Sequence, residues 1–233
     1  GGFSEYIVVN ADALLRIPKE MDSVTAAGFT MTYGTSMYGL KQRGCLKSGE
    51  KLLVLGAGGG VGITAVEIGK IMGAEVIAAA SSENKLAAAK RAGADHLINY
   101  SEGNIREKIK NIVGSSGIDV LYDPVGGELF EPCLRSLGWG GRALVIGFAS
   151  GTIPKLPTNL TLVKGCSVVG VFWGAFRIKE TEEDNKNFEI LFKWFKEKKV
   201  SPLVSQKFSL ENAKEALLTL ATRKAIGKVI ITP

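Results

Sequence analysis

From about residue 50 the chain alternates short, wholly apolar runs with longer stretches whose apolar residues recur every three or four positions. Residues 51–56 (KLLVLG), 75–80, 97–100, 118–122 and 142–147 read as strands. Between them, 60–72 places Val61, Ala65, Ile68 and Met72 on one helical face. The segment after Ala80 does the same with Leu86, Ala89 and Ala92 before Gly93 stops it. Helices are also expected over 104–113, with Ile105, Ile109 and Ile112 inward, and over 128–137. Strands that are apolar at every position are covered on both faces, so the pattern predicts an α/β fold with a doubly wound parallel sheet.

The flanks read differently. Residues 1–24 are expected to be extended, with Tyr6-Ile7-Val8-Val9 and a turn at Ile17-Pro18. Residues 23–44 are predicted helical and lead into the first strand. Beyond 150 the pattern gives a loop (151–158), a strand over 167–173 and an amphipathic helix over 184–198. A helix over 210–222 follows, with Ser209 as its N-cap and Ala213, Leu217 and Leu220 inward, and then a closing strand over 228–231.

Composition narrows the classes. Hydrophobic residues at 45% and charged residues at 22% exclude a disordered chain, and 233 residues can bury a core without disulfides or a structural metal. The net charge of +6 raises nucleic acid as a partner, but the lysines and arginines are scattered. Only Lys196, Lys198 and Lys199 cluster, as on a solvated helix face. No nucleic-acid partner is predicted; positive charge also suits a polyphosphate ligand. No apolar run has the length of a membrane span, so no membrane association is expected. Cys45, Cys133 and Cys166 show no pairing motif, read as small buried side chains and suit a reducing compartment, the cytoplasm or the mitochondrial matrix. The single histidine, His96, leaves no material for a two-imidazole metal site or a Ser-His relay. It is expected partly exposed at the start of the third strand. The chain opens Gly1-Gly2-Phe3, with neither an initiator Met nor a signal pattern, so targeting is not legible.

The chemistry sits between the first strand and the helix after it, in Gly56-Ala57-Gly58-Gly59-Gly60-Val61-Gly62. A glycine loop in that place is a dinucleotide-phosphate cradle: glycines permit close backbone approach, and the helix N-terminus offers free N–H groups. The fit is imperfect, since Ala57 stands where the first glycine of the G-x-G-x-x-G string belongs. Gly59, Gly60, Val61 and Gly62 are the predicted phosphate contacts. An NAD site carries an acid at the end of the second strand. Here that strand ends Ala79-Ala80-Ser81-Ser82, with Lys85 a few residues on. Hydroxyls and a cation suit a 2′-phosphate, so NADPH is the predicted cofactor. Read alone, Lys85 is equally a solvated lysine on a helix face.

Several stretches together carry a resemblance: Gly2-Phe3-Ser4-Glu5-Tyr6, Ala26-Ala27-Gly28-Phe29, Tyr33-Gly34-Thr35, the glycine loop, Lys90 to Asp95, Asp123-Pro124-Val125-Gly126-Gly127 and Gly227-Lys228-Val229. The chain resembles the medium-chain dehydrogenase/reductase superfamily, in its quinone oxidoreductase (zeta-crystallin) branch. The resemblance implies a Rossmann nucleotide domain over 25–173. It makes 1–24 the remnant of a GroES-like β domain and 174–233 the return toward the catalytic domain and cleft. It also implies that Lys85, Tyr100 and Arg223, with Ser81 and Ser82, serve the 2′-phosphate, and that Thr35, Phe148 and Phe172 lie near the nicotinamide. Zinc-dependent members carry a cysteine ligand directly before the Gly-Phe of the linking helix. Here that residue is Ala27, so no metal is expected. The implied reaction is hydride transfer from NADPH to a quinone or similar conjugated acceptor, such as an enone. Enoyl or alkenal reduction, and NADPH binding without turnover, remain as alternatives. No catalytic side chain is assigned. A homodimer through the edge strand from Val168 to Phe172 is implied as well.

Overall fold

The computed structural model describes residues 2–233; Gly1, the first residue of the expected 1–24 segment, lies outside them. The segment before residue 23, expected to be extended, forms no strand among the described residues and holds bends and one 3-10 turn, Ala11–Ala13. α1 (Ser23–Met37) then starts at Asp22, whose carboxylate accepts from the Thr25 amide and caps the helix. It continues as a π-helical turn over Tyr38–Arg43. The alternating region then gives β1 (Lys51–Leu55), α2 (Gly60–Ile71), β2 (Glu75–Ala80), α3 (Glu83–Arg91), β3 (His96–Asn99), α4 (Ile105–Val113) and β4 (Ile118–Asp123). It proceeds through α5 (Phe130–Leu134), β5 (Leu137–Val145), α6 (Asn159–Lys164) and β6 (Ser167–Gly170). The remainder is α7 (Trp173–Lys179), α8 (Thr181–Lys196), β7 (Val204–Ser209), α9 (Ala213–Ala221) and β8 (Lys228–Thr232).

The first six strands form one parallel sheet in the order β3-β2-β1-β4-β5-β6. Alternation along each strand explains the unbroken apolar runs. Leu52, Val54, Val76, Ala78, Val120 and Tyr122 face a core built with α1, α2 and α8. Leu53, Leu55, Ile77, Ala79, Leu121 and Ala143 face the opposite core, built with α4, α5 and α6. Helices thus cover both faces, as the pattern predicted. The strand order reverses between β1 and β4. In such sheets that reversal opens a crevice at the C-terminal strand ends.

One polar network crosses the first core. The Ser36 hydroxyl lies 2.9 Å from Tyr122 Oη and 2.8 Å from Thr64 Oγ1, and Thr64 donates to the Thr32 carbonyl at 3.1 Å. These bonds tie α1 to β4 and to the first turns of α2, so every buried hydroxyl has a partner. A second buried contact joins the same helices. Tyr33 donates to Glu67 Oε2 at 2.5 Å, while the Ser201 amide reaches Oε1 at 3.3 Å. Burial raises the Glu67 carboxyl to about 7, although both hydrogen bonds oppose the rise. Folding therefore takes up a proton here between pH 4.5 and about 7, and stability falls as pH rises through that window. The expected loss is about 3 kcal/mol. Urea denaturation of Glu67→Gln should show this slope removed and higher stability at pH 8; an unchanged slope would exclude Glu67 as its source.

The differences from the sequence reading lie at the margins. The strand expected over 167–173 stops at Gly170, because the chain turns at Val171 and Phe172 into α7, which buries Phe176. The helix expected over 128–137 is a 3-10 turn, Gly127–Leu129, followed by the short α5, and Leu137 already belongs to β5. Ser209 ends β7 and precedes a 3-10 turn, Leu210–Asn212, rather than capping one long helix. The helix expected over 184–198 begins earlier, at Thr181. Three elements were not anticipated, α6, α7 and β7. β7 pairs in parallel with β8 to make a separate two-stranded sheet. The sequence of β7, VSQKFS, is mostly polar and exposed, so no apolar period announces it. Cys133 and Cys166 are buried as expected, whereas Cys45, also expected to be a buried side chain, is exposed in the segment before β1 at φ 46°. His96 opens β3 beside Glu75 at 2.8 Å, as read from the sequence.

Candidate functional site

The crevice is real and is centred on the glycine loop. β1 ends at Leu55, and Gly56 takes the left-handed conformation at φ 59°, a turn glycine makes without Cβ strain. Gly59 then caps α2 with no side chain of its own. The first intrahelical bond runs from the Ile63 amide to the Gly59 carbonyl, so the amides of Gly60, Val61 and Gly62 lack intrahelical acceptors. Gly62 is fixed by packing. A Cβ there would strike the Gly56 carbonyl oxygen and come within 2.8 Å of Ala57 Cα. Ala57 itself is fully buried and donates its amide to Ala79 at 3.0 Å, so the missing first glycine costs the loop nothing.

The loop opens into a cleft of about 770 Å³, a volume in the range of cofactor sites. Gly59, Gly60, Val61, Gly62, Ser81, Lys85, Tyr100, Phe148 and Arg223 all line it. At its far end lies a cluster of cations and hydroxyls. Lys85 Nζ donates to Ser81 Oγ at 3.3 Å and to the Arg223 carbonyl at 2.8 Å. The Arg223 guanidinium donates to the Ser150 carbonyl at 2.9 Å, across the mouth of the cleft. Neither cation has a carboxylate within ion-pair distance among the described residues. Burial, and then repulsion from Arg223, hold the Lys85 ammonium below its usual pKa. Burial raises the Tyr100 phenol, against the opposing influence of Ser81 and the Arg223 charge. Arg223 also sits at φ 57°, a conformation that costs a non-glycine residue about 1 kcal/mol. An anion placed here would supply the counter-charge that both cations lack among the described residues.

The remaining predicted residues lie elsewhere. Ser82 is the N-cap of α3, behind Ser81. Thr35 is half-buried within α1 and does not line the cleft. Phe172, 75% exposed, borders a separate cavity of about 520 Å³ with Tyr38 and Phe176, because the chain has left the sheet at Gly170. Phe148, 40% exposed, belongs to both cavities. Trp173 is a packing residue: its ring fills the space where Gly34 has no Cβ, and its indole N–H donates to Asp184.

Sequence reasoning missed three contributors. Asp123 ends β4 nearly buried, and its Oδ1 accepts from the amides of Val125 and Gly126 at 2.8 Å each. Those bonds fold the 124–127 turn into the cleft wall, and burial raises the Asp123 carboxyl against them. The Asp-Pro-Val-Gly-Gly string is a turn signal that could have been read this way. Ser150 and Thr152 arrive on the loop after β5, with no local signal. Among the described residues no group of three or more His, Cys, Asp or Glu is placed to hold a metal ion. No helix is long and apolar enough to cross a membrane.

Comparison with known proteins agrees with this geometry. The family model described as zinc-binding dehydrogenase matches residues 60–192. A quinone oxidoreductase-like protein 2 from Bos taurus is 35% identical over 99% of this chain. This chain spans 66% of that protein's length, just under two thirds. A 2-haloacrylate reductase from a Burkholderia species is 29% identical over 100% of this chain and 71% of its own length. Among solved structures, the Escherichia coli quinone oxidoreductase complexed with NADPH superposes with a TM-score of 0.88 at 28% identity. That match covers 96% of this chain and 69% of the other. The chain belongs to the medium-chain dehydrogenase/reductase superfamily, in its quinone oxidoreductase-like family.

Proposed function

We propose that this chain binds NADPH in the cleft and is the nucleotide-binding part of a zinc-independent oxidoreductase that reduces a quinone or similar conjugated acceptor. The observation that carries this reading is the uncompensated pair Lys85 and Arg223, set with Ser81 and Tyr100 where an NAD site places a carboxylate. When bound, the cofactor supplies a hydride to the acceptor. The chain's own residues bind and orient. The amides of Gly60, Val61 and Gly62 hold the pyrophosphate, the cations and hydroxyls at the end of β2 hold the 2′-phosphate, and Phe148 walls the nicotinamide side. His96 is no source for the accompanying proton, since it opens β3 at the opposite end of the sheet and pairs with Glu75. Water therefore delivers it. Ala27, exposed near the start of α1, takes the place of a zinc-binding thiolate.

Likeness to the haloacrylate reductase favours a second reading, reduction of an activated carbon–carbon double bond. Comparing turnover of NADPH with a quinone and with an enone separates the two. The division into 1–24, 25–173 and 174–233 is part of this proposal, as is a homodimer through β6, an edge strand with no described strand on its outer side. Calorimetric titration with NADPH and NADH tests the core of the reading: NADPH should bind at least about tenfold more tightly. A preference for NADH would overturn the assignment of Lys85, Tyr100 and Arg223.

A further inference from the structure

Lys228 opens β8 directly after Gly227, whose amide donates to the Gly58 carbonyl at 2.8 Å and which forms an isolated parallel bridge with Gly59. The glycine loop and the end of the chain are thus pinned together at this lysine. Its side chain lies across two glycines. A Cβ on Gly28 of α1 would meet Lys228 Cγ at 3.6 Å, and a Cβ on Gly60, the first residue of α2, would sit 2.9 Å from Lys228 Cδ. The stem therefore runs from α1 toward the N-terminal end of α2, and the ammonium ends two bonds beyond Cδ. Among the described residues that ammonium has no hydrogen-bond or ion-pair partner, whereas the main chain of Lys228 is bonded to Leu203 and Ser205. Burial holds its pKa below the usual lysine value.

Every electrostatic feature of this position is unfavourable as it stands. A cation is partly removed from water, lacks a counter-charge, and lies at the positive end of a helix whose first amides have no acceptor. A methionine would fill the same notch with none of these costs. An anion at the start of α2 reverses the sign of each. We infer that Lys228 is a binding residue for the dinucleotide's pyrophosphate, separate in role from Lys85 and Arg223 at the 2′-phosphate. The inference rests on the dinucleotide reading of the cleft. Because NADH and NADPH share the pyrophosphate, Lys228 sets affinity for both and selectivity for neither.

The test is Lys228→Met, which keeps the stem against Gly60 and removes the charge. Calorimetric titrations at low salt use NADPH, NADH and adenosine 2′-monophosphate, which has no pyrophosphate. Dissociation constants for both dinucleotides should rise by the same factor, about tenfold, with the NADPH-to-NADH ratio and adenosine 2′-monophosphate binding unchanged. Unchanged dinucleotide affinity overturns the role of Lys228, and so does an equal loss for adenosine 2′-monophosphate, which marks a damaged cleft. Lys228→Arg should retain dinucleotide affinity; a loss matching that of Lys228→Met would assign the residue to packing instead. A parent chain that binds none of the three ligands overturns the dinucleotide reading itself, and Lys228 with it.

Discussion

Combining Lys85→Met with Arg223→Gly is expected to abolish the preference for NADPH while leaving NADH binding nearly intact. Each charge-assisted contact to the 2′-phosphate is worth about 1.5–3 kcal/mol, or roughly 10- to 100-fold in dissociation constant. The pair together should then cost NADPH at least two orders of magnitude, on the order expected for two such contacts. Methionine preserves the Lys85 stem, which packs over Gly58. Glycine is the informative choice at 223, because φ there is 57° and the arginine pays for it in backbone strain. Removing the guanidinium forfeits its bond to the Ser150 carbonyl but relaxes the backbone, so the variant should unfold at no lower denaturant concentration. Weaker NADPH binding at undiminished stability is the signature of a residue kept for its ligand. Parallel titrations with both nucleotides decide it; an equal loss for NADH would place the two cations elsewhere than at the 2′-phosphate.

The second large effect concerns the loop itself. Gly62→Ala would drive a methyl into the Gly56 carbonyl and the Ala57 backbone, and backbone cannot move aside as a side chain can. The turn between β1 and α2 must open, at a cost of about 2–4 kcal/mol. The amides that face the cleft turn with it, so NADPH binding should be lost even where the chain still folds. Gly59→Ala is the matched control, since its Cβ would meet only the Gly56 oxygen, at 3.3 Å. Guanidinium denaturation should rank the parent and Gly59→Ala close together and Gly62→Ala well below. Equal destabilisation of the two variants would mean that the loop tolerates displacement and that its glycines are not set by packing.

These contrasts show why the sequence was legible where it was. The parallel sheet announced itself because each strand is covered on both faces, so neither Leu52 nor Leu53 could be polar. The glycine loop was legible because its constraints are local: Gly62 answers to Gly56, six residues away. The cluster proposed for the 2′-phosphate was half legible. Ser81 and Lys85 share a turn, but Arg223 joins them only through the fold, and Ser150 carries no signal of its own. The strand expected to run through Phe172 was misread for the opposite reason. An apolar run suggested that the strand continued, while the turn at Val171 and Phe172 answers to the packing of α7. The polar β7 could not be seen because its order comes from pairing with β8, a partner more than twenty residues on.

That long-range closure has a consequence for how the protein matures. The bridge from Gly59 to Gly227 and the bond from Lys85 to the Arg223 carbonyl mean that the end of the cleft proposed for the 2′-phosphate is closed by residues synthesised after the whole six-stranded sheet. The six-stranded sheet can form before them, yet a chain ending short of residue 223 would have a sheet and no complete site. Nucleotide affinity is therefore a check that synthesis has passed residue 227. Because ligand stabilises only the form that binds it, NADPH would shield chains that carry this closing segment from proteolysis and leave those lacking it exposed.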